Sequence, residues 1–180
     1  MRLLTIGHGT IPAEEFTGLL RGAGVARLID IRSAPGSRQN PQFVRAAMEQ
    51  WLPAAGIAYE WDRALGGFRK TSPNSLNTAL RHASFRGYAD YMLTQAFTTA
   101  ANDLLSSVGS LPGAVMCSES VWWRCHRRLL SDYLTLVRDV EVGHLMRDTS
   151  VSAHRLTEGA RFAGDHVIYD RPTATLGDVL

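Results

Sequence analysis

The sequence predicts an α/β fold: a mostly parallel central sheet with helices on both faces. Three observations carry that expectation. Short apolar segments alternate with stretches of helical period along nearly the whole chain, the rhythm of β-α-β units. Val25-Ala-Arg-Leu-Ile-Asp-Ile31 is mostly apolar on both faces, as strands of a parallel sheet are. Glycine and proline punctuate the joins, at Gly22, Gly24, Pro53, Gly109, Pro112 and Gly113. At 180 residues the chain is long enough for one good core and too short for two ordinary domains, so a single domain over 1–180 is expected.

Each element follows in order. Arg2 to Ile6 reads as a strand stopping at Gly7-His8-Gly9; Thr10 is the candidate cap of a helix with Pro12, Glu14 and Glu15 in its first turn and Phe16, Leu19, Leu20 and Ala23 inward. Val25–Ile31 is the second strand. A turn-rich loop, Arg32 to Gln39, leads to Asn40 as N-cap and Pro41 at the first helical position. Phe43, Val44, Ala47, Met48, Trp51 and Leu52 form the core face, and Pro53 ends that helix. Ile57–Trp61 is a third strand. Ala64 to Ser84 has no clear period, and a loop that long is a lid, a binding loop or disorder. Arg86 to Ser107 reads as one long helix with Tyr88, Tyr91, Met92, Ala96, Leu104 and Leu105 inward. Gly113–Met116 is a buried strand, Val140–Met146 a further one, and Asp165–Tyr169 an edge strand.

Composition excludes more than it selects. Hydrophobic content of 45%, charged content of 20% and a formal net charge of +2 give no bulk attraction to nucleic acid or membrane, so any anion site must be local. No apolar run has transmembrane length, and Met1–His8 is too soon polar for a signal peptide; the cytoplasm is the expected location. Two cysteines make no disulfide framework and leave free thiols, a redox pair or ligands.

Both cysteines fall in the stretch Ala114–Arg128, read as strand, tight loop and a helix from about Arg124 carrying His126, Leu129, Leu130, Tyr133, Leu134 and Val137 on one face. In a parallel sheet such a connection lies at the carboxyl ends of the strands, where ligands bind. The loops after the first and second strands share that rim, bringing His8, Arg32, Ser33, Ser37 and Arg38 towards Cys117, Glu119, Cys125, His126 and Arg127. Arg32, Arg38 and Arg127 would grip an anion by paired N–H bonds, with Ser33 and Ser37 adding hydroxyls. A small anionic ligand, phosphate or carboxylate, is the natural occupant. The same arginines also serve as plain partners of Asp30, Glu119 and helix ends. His126 fits a satisfied core histidine as well as an orienting role, and Cys125 fits a small buried hydrophobe. Near a helix start and arginines, an exposed thiol has a lowered pKa.

Metal is not expected: Cys-x7-Cys-His lacks close paired ligands, and adjacent Cys125 and His126 would point apart on a helix. Trp122 and Trp123 offer a stacking surface, one of them better read as core. Gly66 and Gly67, beside Phe68, Arg69 and Lys70, match no phosphate-loop pattern but belong with the candidate ligand loop.

Together these residues resemble the domain of unknown function 488 family. The likeness rests on Thr5-Ile-Gly-His8, Leu28-Ile-Asp-Ile-Arg-Ser33 with Pro35 and Ser37-Arg38, Leu65-Gly-Gly67, Phe85-Arg-Gly-Tyr-Ala-Asp-Tyr-Met92, Cys117-x-Glu119 and Trp123-Arg-Cys-His-Arg127. The tail Ala153-His-Arg-Leu-Thr157 with Ala160-Arg161 and Gly164 is similar too. Gly9 stands where the family usually has Ser, and Ser118 where Ala is common. The resemblance implies a Rossmann-like three-layer fold and a shared site of His8, Arg32, Cys117, Glu119, Cys125, His126 and Arg127. It implies no established activity.

A fainter likeness is to rhodanese-type sulfurtransferases and cysteine phosphatases, where a nucleophilic Cys ends a strand before an amide-lined loop. Here Cys117 to Arg124 is one residue longer than the phosphatase Cys-x5-Arg loop, and Val121-Trp-Trp123 supplies no glycine for a tight cradle. Glu119 would repel an oxyanion unless protonated. The expectation is an enzyme for a phosphorylated or nucleotide-like ligand, reacting through Cys117 or Glu119. The alternatives are a nucleotide or nucleic-acid-end binding module, and a thiol redox protein using Cys117 and Cys125. The sequence leaves cofactor and oligomeric state open.

Overall fold

The computed structural model describes residues 1–109 and 111–170; the last ten residues of the expected domain lie outside them. It is an α/β Rossmann-like three-layer sandwich. Strands β1 (Arg2–Gly7), β2 (Arg27–Asp30), β3 (Ala58–Trp61), β4 (Gly113–Cys117) and β5 (Glu141–Leu145) run parallel, and β6 (Val151–Ala153) joins antiparallel to β5, giving the order β3-β2-β4-β1-β5-β6.

Strand alternation builds two cores. Leu4, Ile6, Leu28, Ala114 and Met116 face one side, against α1 (Ala13–Gly22) and α2 (Arg45–Ala54); Leu3, Ile29, Val115 and Cys117 face the other. That second side is covered by α3 (Ala83–Met92), α4 (Gln95–Val108) and α5 (Arg127–Arg138). The division follows from handedness. From β1 to β2 to β3 the chain steps one way across the sheet, then returns to β4 between β2 and β1, so right-handed crossovers place the earlier and later helices on opposite faces. The connections leaving β1 and β4 therefore part at their carboxyl ends. That is the crevice in which open α/β sheets bind ligands.

Several expectations need correction. Helix α1 is entered from Pro12, with extended backbone, rather than capped by Thr10. Asn40 precedes only a 3₁₀ turn, Pro41–Phe43, and donates no cap; α2 starts at Arg45 and carries Pro53 in its last turn. The long helix is two: it breaks at Leu93-Thr94, where the Thr94 hydroxyl oxygen accepts the Phe97 N–H at 3.3 Å and caps α4. Ala96 consequently faces solvent and Phe97 is buried. Asp165–Tyr169 is a strand in its last four residues (β8, His166–Tyr169), but it pairs with β7 (Ala160–Ala163) in a separate hairpin instead of edging the main sheet.

The aperiodic stretch is an ordered loop. A 3₁₀ turn, Arg63–Leu65, is capped by Asp62. Asp90 accepts from the Ser72 backbone N–H, the Ser75 hydroxyl and the Asn77 amide, while Asn77 receives the Tyr169 N–H. Among the described residues no helix is long and apolar enough to cross a membrane.

Candidate active site

At the parting of β1 and β4 lies a cleft of about 600 Å³, within the range of small-molecule sites. The rim is stitched by backbone bonds from His8 N–H to Cys117 O (3.0 Å) and Gly9 N–H to Ser118 O (2.9 Å). Gly7 is required here, since a Cβ on it would fall 2.0 Å from the Glu119 carbonyl oxygen. His8, Arg32, Ser33, Ser37, Gly67, Cys117, Glu119, Cys125 and His126, all expected at one site, line this cleft.

Its floor is a triangle of two sulfurs and an imidazole. His126 Nδ1 lies 3.9 Å from Cys117 Sγ and 3.6 Å from Cys125 Sγ, and the three atoms are all within 4.8 Å of one another. Local backbone makes this possible. Trp122–Arg124 form a 3₁₀ turn, Cys125 is extended (φ −118°, ψ 151°), and α5 begins only at Arg127. Cys125 and His126 therefore precede the helix and converge, which removes the premise of the expectation against metal. Cys117, Cys125 and His126 are the residues that could hold an ion. Gly67 packs on the imidazole so closely that a Cβ there would be 2.5 Å from Nδ1.

The two thiols divide one charge. The neighbouring Cys125 thiol holds Cys117 well below the usual thiol range, outweighing burial, with help from His126 and the Glu119 backbone. Cys125 is pushed well above it because its proton serves Cys117, and burial adds to this. Of the two sulfurs, Cys117 is the one whose surroundings favour the thiolate.

Above the triangle, Arg32 is nearly buried and largely committed. Its Nε and one terminal nitrogen bond the Asp30 carboxylate at 2.6–3.1 Å, and that nitrogen also donates to Phe43 O at 2.8 Å. Its other terminal nitrogen meets His8 Nε2 at 3.1 Å. His8 Nδ1 lies 2.9 Å from Gly9 O, so Nδ1 carries the proton and Nε2 accepts. Burial, then Arg32, lower the His8 pKa. His8 is accordingly an orienter of Arg32, with both nitrogens in use, rather than a free base. Ser33 Oγ accepts the Phe68 N–H and Ser37 Oγ the Asn40 N–H, which leaves both hydroxyl protons to donate. Glu119 takes the Val121 N–H through one oxygen and has the other for the cleft.

Two expected anion-gripping arginines are placed elsewhere. Arg127 is buried and donates to the carbonyls of Ile6 (3.0 Å) and Ser120 (3.0 Å), tying the Cys loop to β1. Arg38 is exposed and does not line the cleft. Gly66 supports from behind, against Ser33, where a Cβ would lie 2.5 Å from Oγ. Arg124, to which the sequence reading gave no place in the site, lines the cleft, and its guanidinium makes no hydrogen bond or ion pair among the described residues. Phe85 and Ser84 from α3 and the exposed Phe68 complete the wall. Phe85 stood in a quoted motif without a role assigned to it. Trp122 does not line the cleft; its ring stacks nearly parallel, at 8° and 3.9 Å, on that of His144.

A family model described as "Domain of unknown function DUF488" matches residues 12–134. No curated protein and no solved structure matches the chain.

Proposed function

On the premise that this chain belongs to the domain of unknown function DUF488 family, whose description carries no activity, we propose an enzyme that binds a small anionic, phosphorylated or nucleotide-like ligand and attacks it with Cys117. The observation that carries this reading is the Cys117–Cys125–His126 triangle on the floor of an open cleft. Buried structural thiols sit in apolar packing. This one has a second thiol and an imidazole beside its sulfur.

In the proposed reaction the Cys117 sulfur bonds to the electrophilic centre, and the leaving group departs with its bonding pair and takes a proton from solvent. Water then cleaves the adduct with Glu119 accepting its proton, which returns to solvent as the thiolate is restored. Arg124, the Ser33 and Ser37 hydroxyls and Arg32 hold the anionic part. Arg32 contributes direction more than charge, since Asp30 already neutralises it. The cleft volume suits a nucleotide-sized ligand, with Phe85 and Phe68 as its apolar wall.

The test is thermal stabilisation by inorganic phosphate, nucleoside monophosphates and sugar phosphates. A ligand at about a hundred times its Kd stabilises by about 2.7 kcal/mol. Arg124→Ala with Ser33→Ala should abolish the shift; equal shifts in wild type and variant contradict the reading.

A further inference from the structure

We infer that Cys117 Sγ, Cys125 Sγ and His126 Nδ1 form a three-donor site for a soft divalent cation of the zinc type, and that its occupancy silences the Cys117 nucleophile. This goes beyond the enzymatic reading, for it uses the same atoms but needs no reaction.

The geometry is close to preformed. With metal–sulfur bonds of about 2.3 Å and metal–nitrogen bonds of about 2.0–2.1 Å at a tetrahedral angle, sulfur and nitrogen stand roughly 3.6 Å apart. The observed separations are 3.6 Å for Cys125 and 3.9 Å for Cys117, and the sulfurs fall within the 4.8 Å envelope. Closing on an ion therefore takes shifts of tenths of an ångström for the His126 pairs. The donors match the metal class, since thiolate and imidazole together select zinc-like ions over magnesium or calcium.

The surroundings agree. Among the described residues, the hydrogen-bonding contacts of the His126 ring are both to the sulfurs, and its Nε2 is buried without a partner. Gly67 leaves room for the ring on its other side and nothing more. Three protein donors on the floor of a cleft leave the remaining position of a tetrahedral ion to a cleft ligand, the pattern of open rather than structural sites. Binding replaces the Cys125 S–H by a sulfur–metal bond and sends that proton to solvent, so neutral and alkaline pH favour it. A thiolate bonded to the ion shares its negative charge with the metal and is a weaker nucleophile.

The experiment uses the full chain, reduced and stripped with chelator. Cobalt(II) should bind at one equivalent, with an intense sulfur-to-cobalt charge-transfer band and the visible spectrum of a tetrahedral ion, both erased by zinc. Cys125→Ser should weaken the band and His126→Ala should alter the visible spectrum. Absence of the band, or a spectrum unchanged in Cys125→Ser, overturns the site. Should a variant fail to fold, iodoacetamide labelling of the wild type decides. At free zinc about a hundred times its dissociation constant, both cysteines should label about a hundredfold more slowly, reversibly with chelator. Unchanged labelling overturns the proposal. Labelling of the metal-free protein reports separately on the nucleophile, so either idea can fail alone.

Discussion

Lowering the pH from 6.5 to 5.0 should cost this fold about 2 kcal/mol through one histidine. His144, on β5, is 1% exposed and sits in a chain of bonds. Thr5 Oγ1 lies 2.7 Å from its Nδ1, its Nε2 is 3.0 Å from His154 Nδ1, His154 Nε2 is 2.9 Å from Asp132, and Asp132 also accepts the Tyr169 hydroxyl at 2.8 Å. Neutral rings satisfy every link: Thr5 donates to His144, His144 to His154, and His154 to Asp132. Burial, then the neighbouring His154 and Arg127, lower the His144 pKa from 6.5 to about 3. Because the folded pKa lies below the unfolded one, the stability is complete above pH 6.5 and drains as pH falls towards 3. Each pH unit inside that window costs about 1.4 kcal/mol, so 1.5 units cost about 2. Urea denaturation of wild type and His144→Phe at both pH values is the assay. Phenylalanine keeps a ring against Trp122 and cannot titrate, so the variant's pH dependence should be shallower by about 2 kcal/mol, whatever its absolute stability. Equal pH dependence in both proteins would refute the reasoning.

Other outcomes follow from the same structure. Arg32→Ala leaves Asp30, which is 0% exposed, as a buried carboxylate without its cation; urea unfolding should register a loss of about 3–5 kcal/mol, and a loss under about 1 would contradict the pairing. Gly67→Ala should preserve the far-ultraviolet circular dichroism yet displace His126, whose Nδ1 would meet the new methyl at 2.5 Å; the check is slower alkylation of Cys117, and an unchanged rate would place His126 outside the site.

The sequence carries the sheet because a parallel strand advertises itself. Leu28 and Ile29 face opposite cores, so both must be apolar. It carries the site's location because strand ends share a rim. It misleads where a continuing period hides a change of backbone. Tyr88, Met92, Phe97 and Ala101 are buried, and the five-residue step from Met92 to Phe97 marks the break that a single helix would not contain. Trp122–Arg124 make one 3₁₀ turn before an extended Cys125, and nothing in Trp-Trp-Arg-Cys-His separates that from a helix start, which hides the convergence of Cys125 and His126. Arg127 reads from the sequence as an anion grip, and its actual task is hidden there because it depends on which carbonyls, those of Ile6 and Ser120, folding brings to it.

The central claim is that Cys117 is a thiolate open to the cleft, and alkylation against pH tests it most directly. The metal-free protein is labelled with iodoacetamide under pseudo-first-order conditions from pH 5 to 10, and each cysteine is followed by mass spectrometry. Cys117 should show a labelling midpoint well below the about 8.5 of a free thiol, with Cys125 slower and its midpoint higher. Cys125→Ala, which removes the neighbour that most lowers the Cys117 pKa, should move that midpoint up. A Cys117 midpoint at or above that of a free thiol, or labelling only in denaturant, would contradict the account and leave Cys117 a packing residue.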